Sequence, residues 1–154
     1  MPNPCFSPVF SASAMALIVL CASANARAEL GGAMPVDANS SGAEPKTLLN
    51  GALRLRTLTD AGNTTINEYA TNTGQIIAYA WEGPTMPDLH ALLGKYADSY
   101  RSGAAALPPD GNLHASRVVR PDVIVESGGP MRGYVGRAWL PAALPPGITA
   151  DDFR

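Results

Sequence analysis

The chain has 154 residues, enough for one domain and not comfortably for two. Its 11 basic and 13 acidic residues give a formal net charge of −2 and are spread without clusters. This excludes the basic footprint of a nucleic-acid-binding protein and gives no electrostatic site for an anionic membrane.

The N-terminal segment has the pattern of a secretory signal peptide. Residues 12–24 are apolar and uncharged, and Ala26, Arg27 and Ala28 form an A-x-A processing motif. The apolar run is shorter than the ~20 residues that a membrane-spanning helix requires. We therefore predict that residues 1–28 are a signal peptide cut after Ala28, with no membrane span in the remaining chain. The predicted location is the periplasm, with the extracellular space as the alternative.

Cysteine usage is consistent with that location. Cys5 and Cys21 both lie in the predicted leader, so the rest of the chain has no disulfide and no thiol chemistry. Lipoprotein processing at Cys21 is disfavoured because the large residue Leu20 precedes it. A domain held by its core alone favours the periplasm over a harsher extracellular setting.

The first residues after the leader have no periodic pattern. Residues 29–46 are rich in Gly, Ala, Ser and Pro, which indicates a flexible N-terminal segment or an early strand with a weak signal. Residues 47–154 are predicted to form a single domain. Its first strand follows the leucine alternation of residues 53–58, which is imperfect near Thr57 and suggests a bulge or a break.

Residues 64–100 carry the clearest pattern. Two alternating segments flank an Asn-Thr-Gly turn, which predicts a β-hairpin, and the second is apolar on both faces, as expected of a central strand. The period then changes to 3.6, which predicts a helix with Thr85 as N-cap and Asp88 as its capping-box partner. The apolar face of this helix comprises Leu89, Leu92, Leu93, Tyr96, Ala97 and Tyr100.

The C-terminal half is predicted to add a second hairpin. Residues 102–121 form a long polar connection rich in Gly and Pro, a kind of loop that is often functional or mobile. Residues 122–127 and 131–140 then pair across a Ser-Gly-Gly-Pro turn, and Thr149 is expected to cap a last helical turn. The order of elements predicts an α+β fold. It has a mostly antiparallel sheet of about five strands, with one main amphipathic helix packed on it.

Short motifs are distributed over the whole chain after the leader. They are ELGG at 29–32, YAWEGP at 79–84, PDL at 87–89, LLGKY at 92–96, SGGPMR at 127–132 and GRAWLP at 136–141. Together they resemble a bacterial family of uncharacterised exported proteins, domain of unknown function 2844. That family has no established reaction, cofactor or catalytic residue, so the resemblance implies none for this chain.

Catalytic chemistry has little support in the sequence. After the leader there is no cysteine, no nucleophile elbow, no zinc-protease motif and no phosphate-binding loop motif. The two imidazoles are His90, expected on the helix surface beside Asp88, and His114, in the long connection. A small hydrolase-like enzyme using His90, His114 and nearby acids is the alternative function. No metal-ligand spacing is present, and we predict no metal and no cofactor.

The second hairpin carries the candidate binding residues, Glu126, Gly128, Gly129, Arg132, Arg137 and Trp139. The glycine turn could hold an anion with its N–H groups and the two arginines, or it could be a plain turn that needs positive φ. Most aromatic side chains are expected in the core. On an uncovered face they would form an adhesive surface beside Arg137.

We therefore predict a non-enzymatic binding or accessory module for an envelope protein, peptide or glycan. Inhibition of an envelope peptidase is a further alternative and rests on fold analogy alone.

Overall fold

The computed structural model describes residues 28–35, 44–108, 115–129 and 133–154. Within these residues seven strands form one antiparallel sheet, in the order β1-β2-β3-β4-β7-β6-β5. The strands are β1 (Lys46–Leu48), β2 (Leu53–Thr59), β3 (Thr65–Thr71), β4 (Ile76–Gly83), β5 (Ala115–Val119), β6 (Ile124–Gly128) and β7 (Tyr134–Trp139). The central position of β4 follows from its run of six buried residues, which matches the prediction from its two apolar faces.

The prediction of about five strands was wrong, since the described residues contain seven. The two additional strands, β1 and β5, lie at the two edges of the sheet. An edge strand needs few buried side chains, and in β5 only Val118 is buried. Without an alternating apolar pattern the segment was indistinguishable from the polar connection around it. The α+β class is retained.

A single helical segment covers one face of the sheet. It consists of α1 (Leu89–Leu93) and α2 (Ala97–Ala105), joined by a 3-10 turn at Gly94–Tyr96. The predicted apolar face is confirmed, because Leu92, Leu93 and Ala97 are buried in the core. Among the described residues, no helix has both the length and the apolar character needed to cross a bilayer.

The predicted N-cap of this helix was wrong. Asp88 is the N-cap, and its carboxylate accepts a hydrogen bond from the Ala91 N–H at 3.1 Å. The Thr85 hydroxyl instead donates to the Gly62 carbonyl at 3.0 Å and lies 3.0 Å from the Thr64 hydroxyl. Thr85 therefore stabilises the turn between β2 and β3 and does not cap the helix.

Residues 28–34 pack between the helix and the central strand. The Leu30 N–H donates to the Leu92 carbonyl, and the Gly31 N–H donates to the Ile76 carbonyl, both at 2.8 Å. Leu30 is fully buried in the helix-side core. The first residues after the predicted cleavage point are thus fixed to two elements of the domain.

The opposite face of the sheet is covered only in part. The C-terminal residues 141–153 lie over one end, where Phe153 packs on Tyr69 with ring centroids 4.9 Å apart. Thr149 is the N-cap residue of a last 3-10 turn, as predicted, and its N–H donates to the Asp152 carboxylate at 2.7 Å in a capping box. Toward β5 the face is open, with Val135 46% and Val119 59% exposed.

Gly136 allows the buried indole of Trp81 to lie directly against β7. A Cβ at position 136 would lie 2.3 Å from a ring atom of Trp81 and 2.6 Å from the Glu126 carbonyl oxygen. A glycine at this position is therefore required by the close approach of the indole to the strand. The pairing of β7 with both neighbours is continuous, and the register shift lies between Tyr69 and Ala70 in β3.

We expect Gly136→Ala to destabilise the protein by about 1–3 kcal/mol, because neither the buried indole nor the strand backbone can move away freely. Chemical denaturation measures the change. Val135→Ala, at the exposed neighbouring position, is the control and should stay within about 0.5 kcal/mol of the parent chain. Equal stability of Gly136→Ala and the parent would contradict the contact.

Candidate functional site

A cleft of about 770 Å³ lies on the sheet face opposite the helix, and we call it the open-face cleft. Its volume falls in the range of roughly 300–1,000 Å³ that is usual for ligand pockets. Strands β3 to β7 and the C-terminal Phe153 and Arg154 contribute to its lining. The small residues Ala80 and Gly128 leave the space that larger side chains would fill.

The strand register places one side chain from each of five adjacent strands in a row across this face. From β3 to β5 the row is Asn67, Ala80, Arg137, Glu126 and Arg117. All five residues line the open-face cleft. The cleft is therefore a direct consequence of antiparallel pairing on the uncovered side of the sheet.

Glu126 is the centre of the charged part of the row. Its Oε1 accepts from Arg117 Nε at 2.9 Å, and its Oε2 accepts from Arg137 Nε at 2.7 Å. Both carboxylate oxygens thus bind a guanidinium group. The Glu126 and Arg137 side chains are half-buried, while Arg117 extends further into solvent.

Arg137 connects the row to the C-terminal segment. Its NH1 group donates to the Ala150 carbonyl at 2.5 Å and lies 3.3 Å from the Asp151 carboxylate. The guanidinium carbon stands 5.4 Å from the centre of the Trp139 ring. Partial burial alone would lower the pKa of Arg137, but its bonds to Glu126 and Asp151 outweigh this and raise that pKa. The arginine is held in one orientation as a permanent cation.

The structure brings four of the six predicted site residues to the open-face cleft, namely Glu126, Gly128, Gly129 and Arg137. Trp139 lies beneath Arg137, and its side chain is buried in the second core rather than displayed. Arg132 is outside the described residues. Gly129 has φ +142° and a Cβ there would clash with the Gly133 carbonyl, so the turn itself requires this glycine.

Several residues of the open-face cleft were not predicted. Arg117 lies on β5, a strand that the sequence pattern did not predict. Asn67 lies on β3, where the alternation gave the strand face of this residue but did not show that the face is exposed. Val135 is two residues before Arg137 and therefore shares its strand face, and this alternation could have identified Val135 as a cleft residue. Which face the helix leaves uncovered depends on long-range packing and not on local pattern.

The described residues include one of the two histidines of the alternative enzymatic interpretation. His90 is exposed on α1, on the helix side of the sheet, and His114 lies outside the described residues. Within the ranges that the structure describes, no three His, Cys, Asp or Glu side chains are grouped as metal ligands would be. The described lining of the cleft contains no histidine.

A second polar cluster is buried on the helix side, beneath residues 28–34. Arg56 on β2 and Glu68 on β3 are 5% and 2% exposed, and Glu68 Oε2 lies 2.6 Å from Arg56 Nε and 2.5 Å from its NH2 group. The Tyr79 hydroxyl on β4 donates to the Ala28 carbonyl at 2.5 Å and lies 3.5 Å from Glu68 Oε1.

Burial changes the acid–base properties of this cluster. It raises the pKa of Glu68 despite the opposing effect of Arg56, and it raises the pKa of Tyr79, where Glu68 acts in the same direction. The tyrosine is therefore a hydroxyl at all ordinary pH values. The strand pattern alone had not identified Arg56 and Glu68 as a buried pair.

The fold and the cleft together define a small α+β domain with one partly uncovered sheet face. The chain belongs to a family described as protein of unknown function, DUF2844, whose model matches residues 26–153. This confirms the resemblance that the short motifs indicated. Comparisons with curated proteins and with solved structures found no match. Function has to be argued from the site.

Proposed function

We propose that the protein is an exported, non-enzymatic binding module that holds an extended peptide segment of an envelope protein in the open-face cleft. The observation that carries this proposal is the cleft itself, a ligand-sized space on the sheet face that the helix leaves uncovered. The predicted leader supports an envelope location.

The position of the cleft at a sheet edge favours a peptide. One wall is β5, the last strand of the sheet, and no described strand pairs with its outer edge. The backbone groups of such an edge can pair with an extended chain, whose alternate side chains then point to one face. A peptide added beside β5 would place every second side chain on the side of the cleft.

The charges and aromatic rings of this face also favour a peptide over a glycan. The cleft presents both basic and acidic groups, such as Arg117 and Glu82, which suits a chain carrying mixed charges. The aromatic rings on this face, Tyr69, Trp139 and Phe153, are buried in the second core. Among the described residues of the cleft, no aromatic ring is displayed on which a sugar could stack.

The state of the acidic groups supports binding rather than catalysis. Glu126 is engaged by two arginines, and the same Arg137 also contacts Asp151. Both oxygens of the Glu126 carboxylate already accept from guanidinium groups, so neither is presented to a bound substrate. Its role in the proposed function is to keep Arg117 and Arg137 in place along the wall of the cleft.

We expect a display library of random linear peptides to yield sequences that bind the protein and that lose affinity with Val135→Arg. The change places a bulky charge in the cleft, and a loss of about tenfold or more, equivalent to about 1.4 kcal/mol, is expected. Isothermal titration with one enriched peptide measures it. Leu49→Arg is the control, since Leu49 is an exposed apolar residue in the turn after β1, outside the cleft lining and at the sheet edge opposite β5.

Two results would contradict the proposal. One is a library that yields no binder. The other is an enriched peptide whose affinity falls equally with Val135→Arg and Leu49→Arg or with neither, since the cleft would then not be the binding surface.

A further inference from the structure

The predicted cleavage point after Ala28 lies at an ordered contact and not in a free tail. The Ala28 carbonyl accepts from Tyr79, and two residues later the Leu30 N–H is bound to the helix. The residue that cleavage would make the first of the chain, Glu29, is therefore held between two fixed neighbours. Its new amino group would therefore appear at a fixed position on the folded domain.

Covalent geometry places that amino group at the buried polar cluster. The Ala28 oxygen and the Glu29 nitrogen are bonded to the same carbonyl carbon, which separates them by about 2.3 Å. Since the oxygen lies 2.5 Å from the Tyr79 hydroxyl, the nitrogen is within reach of the same hydroxyl. A small rotation about the first bonds of Glu29 would bring it to the place that the carbonyl leaves.

Glu68 supplies an acceptor for such a group. Its Oε2 accepts a hydrogen bond from Arg56. Its Oε1 lies 3.5 Å from the Tyr79 hydroxyl, which is the outer limit of a hydrogen bond. This carboxylate is almost fully buried, and its raised pKa indicates that its charge is incompletely compensated. A further cationic donor near Oε1 would stabilise the ionised form.

We propose that hydrolysis after Ala28 creates an α-ammonium group on Glu29 that binds to Tyr79 and Glu68, and that this contact fixes the mature N-terminus. A leader peptidase supplies the catalysis and water the atoms: Ala28 leaves as a carboxylate and Glu29 gains the ammonium. The Tyr79 hydroxyl then accepts a hydrogen bond from the ammonium and turns its own proton to Glu68 Oε1. We call this site the N-terminal socket.

The charged groups around the N-terminal socket come from every element that packs on it. Arg56 and Glu68 approach from β2 and β3, and Tyr79 from β4. From the helix side, Tyr96 contacts Gly31, with Lys95 over its ring, and the Glu29 carboxylate lies against Gly94. The ammonium adds a cation close to the carboxylates of Glu29 and Glu68 and to the guanidinium group of Arg56.

The inference rests on the proposed export and is tested separately from the peptide cleft. We expect the α-amino pKa of a chain beginning at Glu29 to rise by about one unit above the usual value of about 7.7–8.0. The stability that the contact contributes is then present below the usual pKa and lost as pH rises through the raised one. Both quantities are measurable, by NMR titration of the amine and by denaturation from pH 6 to pH 10.

A chain beginning at Ala28 is the matched control, because it keeps every described element and moves the amine by one residue. Its α-amino pKa should be ordinary, and Tyr79→Phe in the Glu29 chain should return the raised pKa toward the ordinary value. Equal, ordinary pKa values in the two chains, or failure of the Glu29 chain to fold, would overturn the socket. So would an exported protein whose N-terminal peptide, read by mass spectrometry, does not begin at Glu29. Peptide binding at the cleft does not depend on the pKa of the α-amino group or on the residue at which the mature chain begins.

Discussion

Replacing Arg56 with methionine is expected to destabilise the protein by about 3–5 kcal/mol, the usual cost of removing one partner from a buried ion pair. The substitution leaves the Glu68 carboxylate nearly fully buried without the guanidinium that binds its Oε2 at two points. Methionine keeps most of the volume of the arginine stem, so the loss measures charge compensation more than packing. Urea denaturation at neutral pH provides the measurement.

A double variant separates the loss of charge compensation from the loss of packing. In Arg56→Met/Glu68→Leu both charges are gone, and such replacements of whole buried pairs are often neutral or stabilising. We expect the double variant to recover most of the stability lost in Arg56→Met, which gives a strong coupling in the double-mutant cycle. Additive losses would show that the two side chains act independently and that the pair is not the unit described.

Leu30→Ala is the second large effect, with an expected loss of about 2–5 kcal/mol in the free energy of unfolding. Leu30 is fully buried between the helix and the central strand, although its segment has the composition of a tether. Truncation leaves a cavity at the point where the N-terminal residues meet the core. The change in denaturation midpoint at constant m-value measures the loss.

Leu49→Ala is the matched control for this prediction. Leu49 is 50% exposed in the turn after β1, and its truncation should change stability by no more than about 0.5 kcal/mol. Equal effects of the two leucine variants would mean that residues 28–34 do not belong to the cooperative folding unit. The larger loss at Leu30 would establish that they do.

The sequence contained enough information for the central part of the fold. Six consecutive apolar residues made β4 recognisable as a buried central strand, and the 3.6-residue period identified the face of the helix. Both signals are patterns within one continuous segment, which can be detected without knowledge of the packing partners. The edge strands β1 and β5 gave no such signal, because an edge strand with exposed side chains has the composition of a loop.

The two polar sites were predictable to different degrees. Glu126 and Arg137 were both assigned to the second hairpin, but their direct pairing follows from a register that the predicted turn did not give, with Gly128 opposite Val135. Arg117 completes the row from a strand that was not predicted. Arg56 and Glu68 lie twelve residues apart on paired strands, and the elements packed around them include Tyr79 of β4, which also binds the Ala28 carbonyl. A local sequence pattern does not show that segments distant in sequence bury these two side chains.

Amide hydrogen exchange on binding an enriched peptide tests the central claim most directly, namely that the open-face cleft holds an extended chain. The account predicts slower exchange in β5 and in the cleft-lining parts of β6 and β7, unchanged exchange in α1 and α2, and loss of the effect in Val135→Arg. Protection that appears on the helix side, or protection that persists in Val135→Arg, would contradict it.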